Sequence, residues 1–181
     1  MVLSRDKAVE ILHSMTTSAS LLRHARTVEL VMRALARKYG EDEELYGITG
    51  LLHDADYESY PEEHPKIIVA KLEEMGETAM AHAIAGHYSQ WGVSRDSLLD
   101  KCILAADELT GFIYACALIR PTKIEGLTAK SVIKKLKNKK FAASVDRAEV
   151  HLGAELLEIE LKELITFIIA VLEENSAEIE L

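Results

Sequence analysis

The sequence predicts an all-α protein, a helical bundle formed by a single domain over residues 1–181. Apolar residues recur at three- and four-residue spacing along most of the chain, which is the period of a helix. No segment alternates with the two-residue period of a β-strand. Helix breakers are also scarce, with 3 Pro and 9 Gly among 181 residues, so long helices are expected.

Cap residues place the first three helices. Ser4 is a suitable N-cap for the first helix, and either Ser18 or Ser20 is suitable for the second. Gly40 is suited to end the second helix in the left-handed conformation. Asp42 then begins a third helix, which is strongly apolar.

The middle of the chain predicts three more helices. A polar, turn-like stretch at 55–61 precedes a helix that has Pro65 in its first turn and that Gly76 ends. A short Ala-rich helix is expected at 77–88. The longest apolar segment, 96–119, is expected to form the central helix of the bundle.

Two helices are expected after the central one, and the first of them is basic. Thr128 is a suitable N-cap for a helix over 131–140, and residues 147–173 are expected to form one amphipathic helix. Residues 123–147 carry a net charge of +6, whereas the rest of the chain carries −15. The basic stretch is interpreted either as a solvated face or as a local lid that attracts an anionic substrate.

Composition argues against several functions. A net charge of −9 disfavours binding to a nucleic-acid duplex, which needs many Lys and Arg side chains on one surface. Apolar runs are far shorter than the ~20 residues of a membrane span, and the N-terminus lacks the apolar core of a signal peptide, so a cytoplasmic protein is expected. Cys102 and Cys116 are expected to be buried core thiols.

A His-Asp dyad ends the third helix. His53 and Asp54 follow the apolar residues ITGLL, so this helix end is expected to be buried. A buried charge without a partner is costly, and a divalent cation is a suitable partner for imidazole and carboxylate. His24, close to the apolar face of the second helix, and Asp107, inside the apolar run ILAAD, are further candidate ligands.

These segments occur in a familiar order. HARTV (24–28), LLHD (51–54) and AD (106–107) resemble the HD-domain superfamily of metal-dependent phosphohydrolases. The resemblance covers about residues 20–120. It implies a helical bundle whose metal site lies between central helices, with residues 121–181 packed on that core. It also implies that the metal ligands are His24, His53, Asp54 and Asp107.

Two further histidines extend the resemblance. His64 and His87 lie between the dyad and Asp107, which gives the order H…HD…H…H…D of two-metal members, closest to small bacterial members that hydrolyse dinucleoside polyphosphates. In such a site Asp54 bridges the two ions, and His64 and His87 hold the second. One or two divalent ions per chain are therefore expected, of Fe, Mn, Co, Zn or Ni. The alternative is that His64 is a surface residue and that His87 interacts only with its helix dipole.

The sequence departs from the family pattern after the dyad. Many members continue as HDIGK, whereas this chain continues as HDADYE, and the missing Lys leaves a phosphate-binding role unfilled. Lys66, Arg26, Arg120 and the basic helix are the candidates for that role. Arg120 is the expected one, as a catalytic residue together with His53 and Asp54; the alternative is a plain surface Arg. Four acidic residues near the dyad either include a general acid or lie in a solvated loop: Asp56, Glu58, Glu62 and Glu63. Four aromatic residues either stack on a nucleobase or only pack: Tyr57, Tyr60, Tyr88 and Trp91.

The resemblance implies hydrolysis of a phosphoester or phosphoanhydride by metal-activated hydroxide. The expected substrate is a nucleotide or a small phosphate ester, and neither a membrane nor a nucleic-acid duplex is an expected partner. Two alternatives stay open, a diiron enzyme that activates oxygen and a non-catalytic domain that binds a nucleotide or a partner protein. The apolar stripe of the last helix serves either the core or a homo-oligomer interface.

Overall fold

The computed structural model describes residues 3–181 and confirms the all-α prediction. Those residues contain nine α-helices, one 3₁₀ turn at Ser89–Trp91 and no β-strand. The helices are α1 (Arg5–Met15), α2 (Ala19–Tyr39), α3 (Glu43–Leu52), α4 (Lys66–Glu74), α5 (Thr78–His87), α6 (Leu98–Leu118), α7 (Ala129–Leu136), α8 (Arg147–Leu156) and α9 (Leu161–Glu174).

The chain divides into two compact units. The first ends at Ile103 and the second is Leu104–Leu181, so the boundary falls within α6. The prediction of one domain over residues 1–181 stays a prediction. No helix among residues 3–181 has both the length and the apolar character needed to cross a membrane.

In the first unit, α3 lies at the centre of the helix packing. It packs against α1, α2 and α5, while α4 packs against α5. Gly50 allows α2 and α3 to approach closely, because a Cβ there would lie 2.9 Å from Cγ of Met32 and 3.0 Å from the carbonyl oxygen of Val28. This approach matters for the site, since His24 lies one turn before Val28 and His53 lies about one turn after Gly50.

The caps confirm most of the expected helix ends in this unit. Ser4 accepts a hydrogen bond from the backbone N–H of Lys7, and the side chain of Asp42 accepts two at the start of α3. Gly40 ends α2 in the left-handed conformation with φ +74°. Ser18 is the N-cap of α2, but its side chain makes no capping bond.

Glu58 supplies that missing cap from a distant part of the chain. Its carboxylate accepts hydrogen bonds from the backbone N–H groups of Thr17 and Ser18, at 2.8 and 2.9 Å, and from the Thr17 hydroxyl. These backbone bonds lower the pKa of Glu58. Glu58 is exposed, as the solvated-loop interpretation expects, and it also holds the start of α2.

A fully buried carboxylate joins α1 to α2. Glu29 accepts hydrogen bonds from Arg5 at 2.7 Å and Arg33 at 3.1 Å, and Arg26 lies 2.8 Å away. Burial raises the pKa of Glu29, but the bonded Arg5 and the charge of Arg26 outweigh burial and leave the pKa lowered. Arg33 also bonds Glu44 of α3 at 2.6 Å, so the network spans three helices.

In the second unit, α9 packs against α7 and α8. The basic helix α7 begins with the predicted Thr128 cap, which forms a capping box with Ser131. It ends at Leu136, so the prediction of helix to Lys140 is wrong. Arg147 is the reason, because its guanidinium donates to backbone carbonyls between residues 138 and 145 and holds that stretch as a loop.

The predicted helix over 147–173 is also wrong, since it consists of two helices. The chain turns between α8 and α9, where Glu158 adopts a left-handed conformation with φ +55°. The apolar residues of 147–173 keep their helical spacing across the turn, so periodicity does not reveal the break.

Both cysteines are free and buried, as expected. Burial raises the pKa of Cys102 to about 12 and that of Cys116 to about 11. Both thiols therefore stay protonated at neutral pH and behave as core side chains.

Candidate metal centre

The His-Asp dyad lies at the end of α3, as predicted. His53 is the C-cap of α3 and is fully buried. Its Nδ1 lies 2.7 Å from the carbonyl oxygen of Gly50, and its Nε2 lies 3.4 Å from Oδ2 of Asp54. A carbonyl oxygen only accepts, so this bond places the ring proton on Nδ1 and leaves the Nε2 lone pair facing Asp54.

His24 approaches the same carboxylate oxygen from α2. Its Nε2 lies 3.8 Å from Oδ2 of Asp54, and its ring is edge-on to His53 with centroids 5.1 Å apart. Donor atoms of His24, His53 and Asp54 lie within 4.8 Å of one another. The structure thus brings together the three implied ligands that belong to the first unit.

The other carboxylate oxygen of Asp54 faces the remaining two predicted histidines. Nε2 of His64 lies 3.4 Å and Nε2 of His87 lies 3.5 Å from Oδ1 of Asp54. His64 comes from the loop before α4, and His87 is the last residue of α5. Both are buried. Four imidazoles from four places in the first unit therefore surround one carboxylate.

Hydrogen bonds fix the orientation of the second pair of rings. Nδ1 of His87 bonds the carbonyl oxygen of Ile84, and Nδ1 of His64 lies 2.7 Å from Oδ1 of Asp56. Asp56 is fully buried, and its other oxygen accepts from the N–H of Ile68 at 3.0 Å. A carboxylate behind a ligating imidazole orients the ring and makes it more basic.

The solvated-loop prediction is wrong for Asp56, because its carboxylate is fully buried. It was expected to act as a general acid or lie in a solvated loop, whereas the structure buries it against His64. Its position two residues after the dyad was the available signal. Glu62 and Glu63 are exposed, which agrees with the solvated-loop interpretation.

The carboxyl of Asp54 is ionised in this setting. Burial alone raises its pKa, but the charge and hydrogen bonds of the His53 and His87 rings, when these are protonated, hold the pKa well below its usual value. An ionised carboxylate with imidazole nitrogens at both oxygens is an established donor set for divalent metals.

The spacing of these donors also fits metal ions. Two ligands that bind one ion at ~2.1 Å with tetrahedral angles lie ~3.4 Å apart. The four Nε2–oxygen separations, 3.4 to 3.8 Å, lie at or slightly above that value. Asp54, His64 and His87 form a second group of candidate ligands, so two clusters share Asp54.

Asp107 and Arg120 both belong to the second unit. Asp107 lies on α6, beside Glu108, whose pKa is raised to about 7 by burial and then by the Asp107 carboxylate. At ~1.5 Å of rise per residue, α6 between Asp107 and Leu118 is ~17 Å long, and Arg120 lies beyond that end. If Asp107 is a ligand, this spacing argues against the predicted catalytic role of Arg120.

A model of the HD domain family matches residues 21–111, and the chain belongs to this family. The matched stretch includes all six predicted ligands but not Arg120. Members of the family are commonly metal-dependent hydrolases. Searches among curated proteins and among solved structures gave no significant match.

Proposed function

We propose that this protein hydrolyses a phosphoester or phosphoanhydride bond with two divalent metal ions. The division of the Asp54 carboxylate carries the proposal: Oδ2 faces His24 and His53, whereas Oδ1 faces His64 and His87. A carboxylate shared by two imidazole pairs suits two ions better than one. Membership of the HD family supports the hydrolytic class.

Six side chains hold the ions in this proposal. His24, His53 and Asp107 would bind the first ion, His64 and His87 would bind the second, and Asp54 would bind both. When bound, such ions supply a water of lowered pKa and positive charge for the phosphoryl oxygens. Fe, Mn, Co, Zn and Ni all accept imidazole and carboxylate ligands.

The chain itself prepares this donor set. Bonds from Nδ1 of His53 and His87 to backbone carbonyls keep both Nε2 lone pairs directed at Asp54. Asp56 does the same for His64. The negative charge of the Asp54 carboxylate would offset part of the charge of the ions.

Aromatic side chains beside His64 support a nucleotide as the substrate. The ring centroids of Tyr57 and Tyr88 lie 5.5 and 5.6 Å from that of His64, and Trp91 lies 6.3 Å from Tyr88. Tyr57 is 49% exposed. Exposed aromatic rings stack on nucleobases, so a base would rest on this rim while its phosphate lies at the ions.

The test compares three proteins on one panel of phosphate compounds. Wild type, Asp54→Asn and His13→Gln are loaded in parallel with Mn²⁺, Fe²⁺, Co²⁺, Zn²⁺ or Ni²⁺, and released phosphate is measured with nucleotides, dinucleoside polyphosphates and small phosphate esters. His13 is exposed on α1 and serves as the control for loss of a histidine. We expect turnover by wild type and His13→Gln, and none by Asp54→Asn. Equal turnover by Asp54→Asn, or none by metal-loaded wild type on any compound, would contradict the proposal.

A further inference from the structure

A cavity of about 520 Å³ lies wholly within the second unit. None of its lining residues is acidic, and none is a proposed metal ligand. Three lining side chains are cationic, three offer hydroxyl or amide groups, and the rest are apolar or glycine. In that order the lining residues are Arg120, Lys134 and Lys135, then Thr128, Ser131 and Asn138, then Cys116, Ile119, Leu127 and Gly126.

The positive charges of this cavity are not neutralised by carboxylates. Among residues 3–181, none of Arg120, Lys134 and Lys135 forms an ion pair. The ammonium group of Lys135 lies 4.7 Å from the centroid of the Phe141 ring, which leaves its charge in place. Lys134 is exposed. Three uncompensated cations around one concave space attract an anion.

Arg120 is held at only one end of its guanidinium. Nη2 donates to the carbonyl oxygen of Glu125 at 3.0 Å, while Nη1 is buried and has no hydrogen-bond partner within residues 3–181. A buried donor without a partner is unfavourable. The guanidinium of Arg120 therefore retains donor capacity, and an anionic oxygen in the cavity would give it a further acceptor.

A neighbouring cavity also has three cationic lining residues, Lys137, Lys139 and Arg147, but its arginine is bonded differently. It has a volume of about 470 Å³ and contains Arg147, but that guanidinium donates to the carbonyls of Asn138, Phe141, Ala142 and Val145. Arg147 is therefore committed to holding the loop after α7. Of the two guanidinium groups, that of Arg120 makes one hydrogen bond and that of Arg147 makes four, so Arg120 has the greater free capacity for an anion.

The remaining wall of the Arg120 cavity is apolar. Ile119 is 57% exposed, and Leu127 and Cys116 are buried beside it. Burial raises the pKa of Cys116 to about 11, so this thiol is a neutral surface at physiological pH. The volume is within the range of small-molecule sites, and the lining suits a ligand with one anionic and one apolar part.

We propose that this cavity binds a small organic phosphate, with the phosphoryl group at Arg120, Lys134 and Lys135 and the organic part against Ile119 and Leu127. None of its lining residues is a proposed metal ligand, and binding there does not depend on the proposed hydrolysis. It also gives a role to part of the basic stretch that the sequence left open between a solvated face and a lid.

Phenylphosphonate is a suitable probe, because its phosphorus–carbon bond is not a phosphoester. The full chain is saturated with diamagnetic Zn²⁺ and titrated with phenylphosphonate into the millimolar range, and backbone amide shifts are followed by NMR. Inorganic phosphate and benzyl alcohol are titrated separately as the anionic and apolar halves of the probe. We expect saturable shifts at Gly126, Leu127, Thr128 and Ser131, with weaker binding of either half.

Two double variants with the same change of charge complete the test. Lys134→Gln/Lys135→Gln removes two cations of the cavity, whereas Lys130→Gln/Lys140→Gln removes two from the same basic stretch outside it. The first is expected to weaken binding about tenfold or more, because it removes charge-assisted contacts, and the second less than about twofold. Equal weakening by both, no saturable binding by wild type, or shifts confined to the residues around His53 and Asp54 would overturn the proposal.

Discussion

Oδ1 of Asp56 lies 2.7 Å from Nδ1 of His64, on the side of the ring opposite to Asp54. The carboxylate of Asp56 is fully buried, and its second oxygen is bonded to the backbone of Ile68. His64 is therefore held between two carboxylates, one that fixes its ring and one that shares its proposed metal ion.

Replacement of Asp56 by Asn is expected to weaken binding of the second ion about 10–100-fold and to leave the first ion in place. The ring of His64 would lose its carboxylate and with it both orientation and basicity. Stepwise calorimetric titration of metal-free protein measures this. Asp100→Asn is the matched control, since buried Asp100 lies 3.1 Å from Nδ1 of His82 outside the site. An identical loss in both variants would show a general effect on stability instead.

The two imidazole pairs are expected to behave differently on substitution. His64→Gln should retain one ion per chain, because His24, His53 and Asp54 remain within 4.8 Å of one another. Asp54→Asn should retain none, because both pairs face its carboxylate. Elemental analysis of the purified variants measures the difference, with His13→Gln as the control. Loss of both ions from His64→Gln would mean that the two clusters act as one.

Glu29→Gln is expected to destabilise the protein by about 3 kcal/mol, because three arginines lose a buried partner. Glu44→Gln removes another partner of Arg33. Because the Glu44 side chain is 56% exposed, this substitution should lower the free energy of unfolding by less than about 1 kcal/mol. Urea unfolding measures both values. Similar values for the two variants would contradict the expectation that a buried carboxylate stabilises the fold more than an exposed one.

The effect of Glu29 also has a defined pH dependence. Its pKa is lowered in the folded protein from the usual 4.5, so its stabilising contribution is complete above that value and is lost as pH falls through the folded pKa. The stability difference between wild type and Glu29→Gln should therefore be constant near neutral pH and shrink in acid. A difference that grows as pH falls would contradict this sign.

Gly50→Ala is expected to destabilise the protein by about 1–3 kcal/mol and to weaken metal binding, because its Cβ would press on the backbone of Val28 and separate α2 from α3. Gly86→Ala is the matched helical control, since a Cβ there meets nothing closer than 3.7 Å. Thermal melting and metal titration of both variants measure these effects. Unchanged melting of Gly50→Ala would show that the two helices tolerate the added methyl group.

Tyr88→Ala is expected to raise the KM for a nucleotide about 5–100-fold, which is the range for loss of one stacked base. The KM for a small aliphatic phosphate ester should change little, because such a substrate has no base to stack. Steady-state kinetics with both substrates measure the contrast. An equal rise in both KM values would assign Tyr88 to the support of His64 rather than to nucleotide binding.

Local features of the sequence were sufficient for much of the fold. Three residues act at helix ends through bonds to residues a few positions away: Ser4, Gly40 and Asp42. Their roles are therefore predictable from the local sequence. The dyad was identified in the same way, from a polar pair after an apolar helix. His64 and His87 required the family resemblance, because no local pattern links them to Asp54.

Features that depend on distant residues were missed. Glu58 caps a helix about 40 positions earlier in the chain, and Asp56 is recognisable as a support only when His64 lies against it. The premature end of α7 depends on Arg147, which reaches back to the carbonyl of Asn138. The turn at Glu158 leaves the apolar period intact, so periodicity gives no signal of it.

Two metal ions are proposed to share the Asp54 carboxylate. Metal content per chain, measured by elemental analysis on protein purified without chelator or affinity-tag metal, tests this sharing most directly. We expect close to two ions per chain in wild type and none in Asp54→Asn. A single ion in fully loaded wild type would contradict the shared carboxylate, and no ion after incubation with excess Mn²⁺, Fe²⁺, Co²⁺, Zn²⁺ or Ni²⁺ would contradict the metal centre itself.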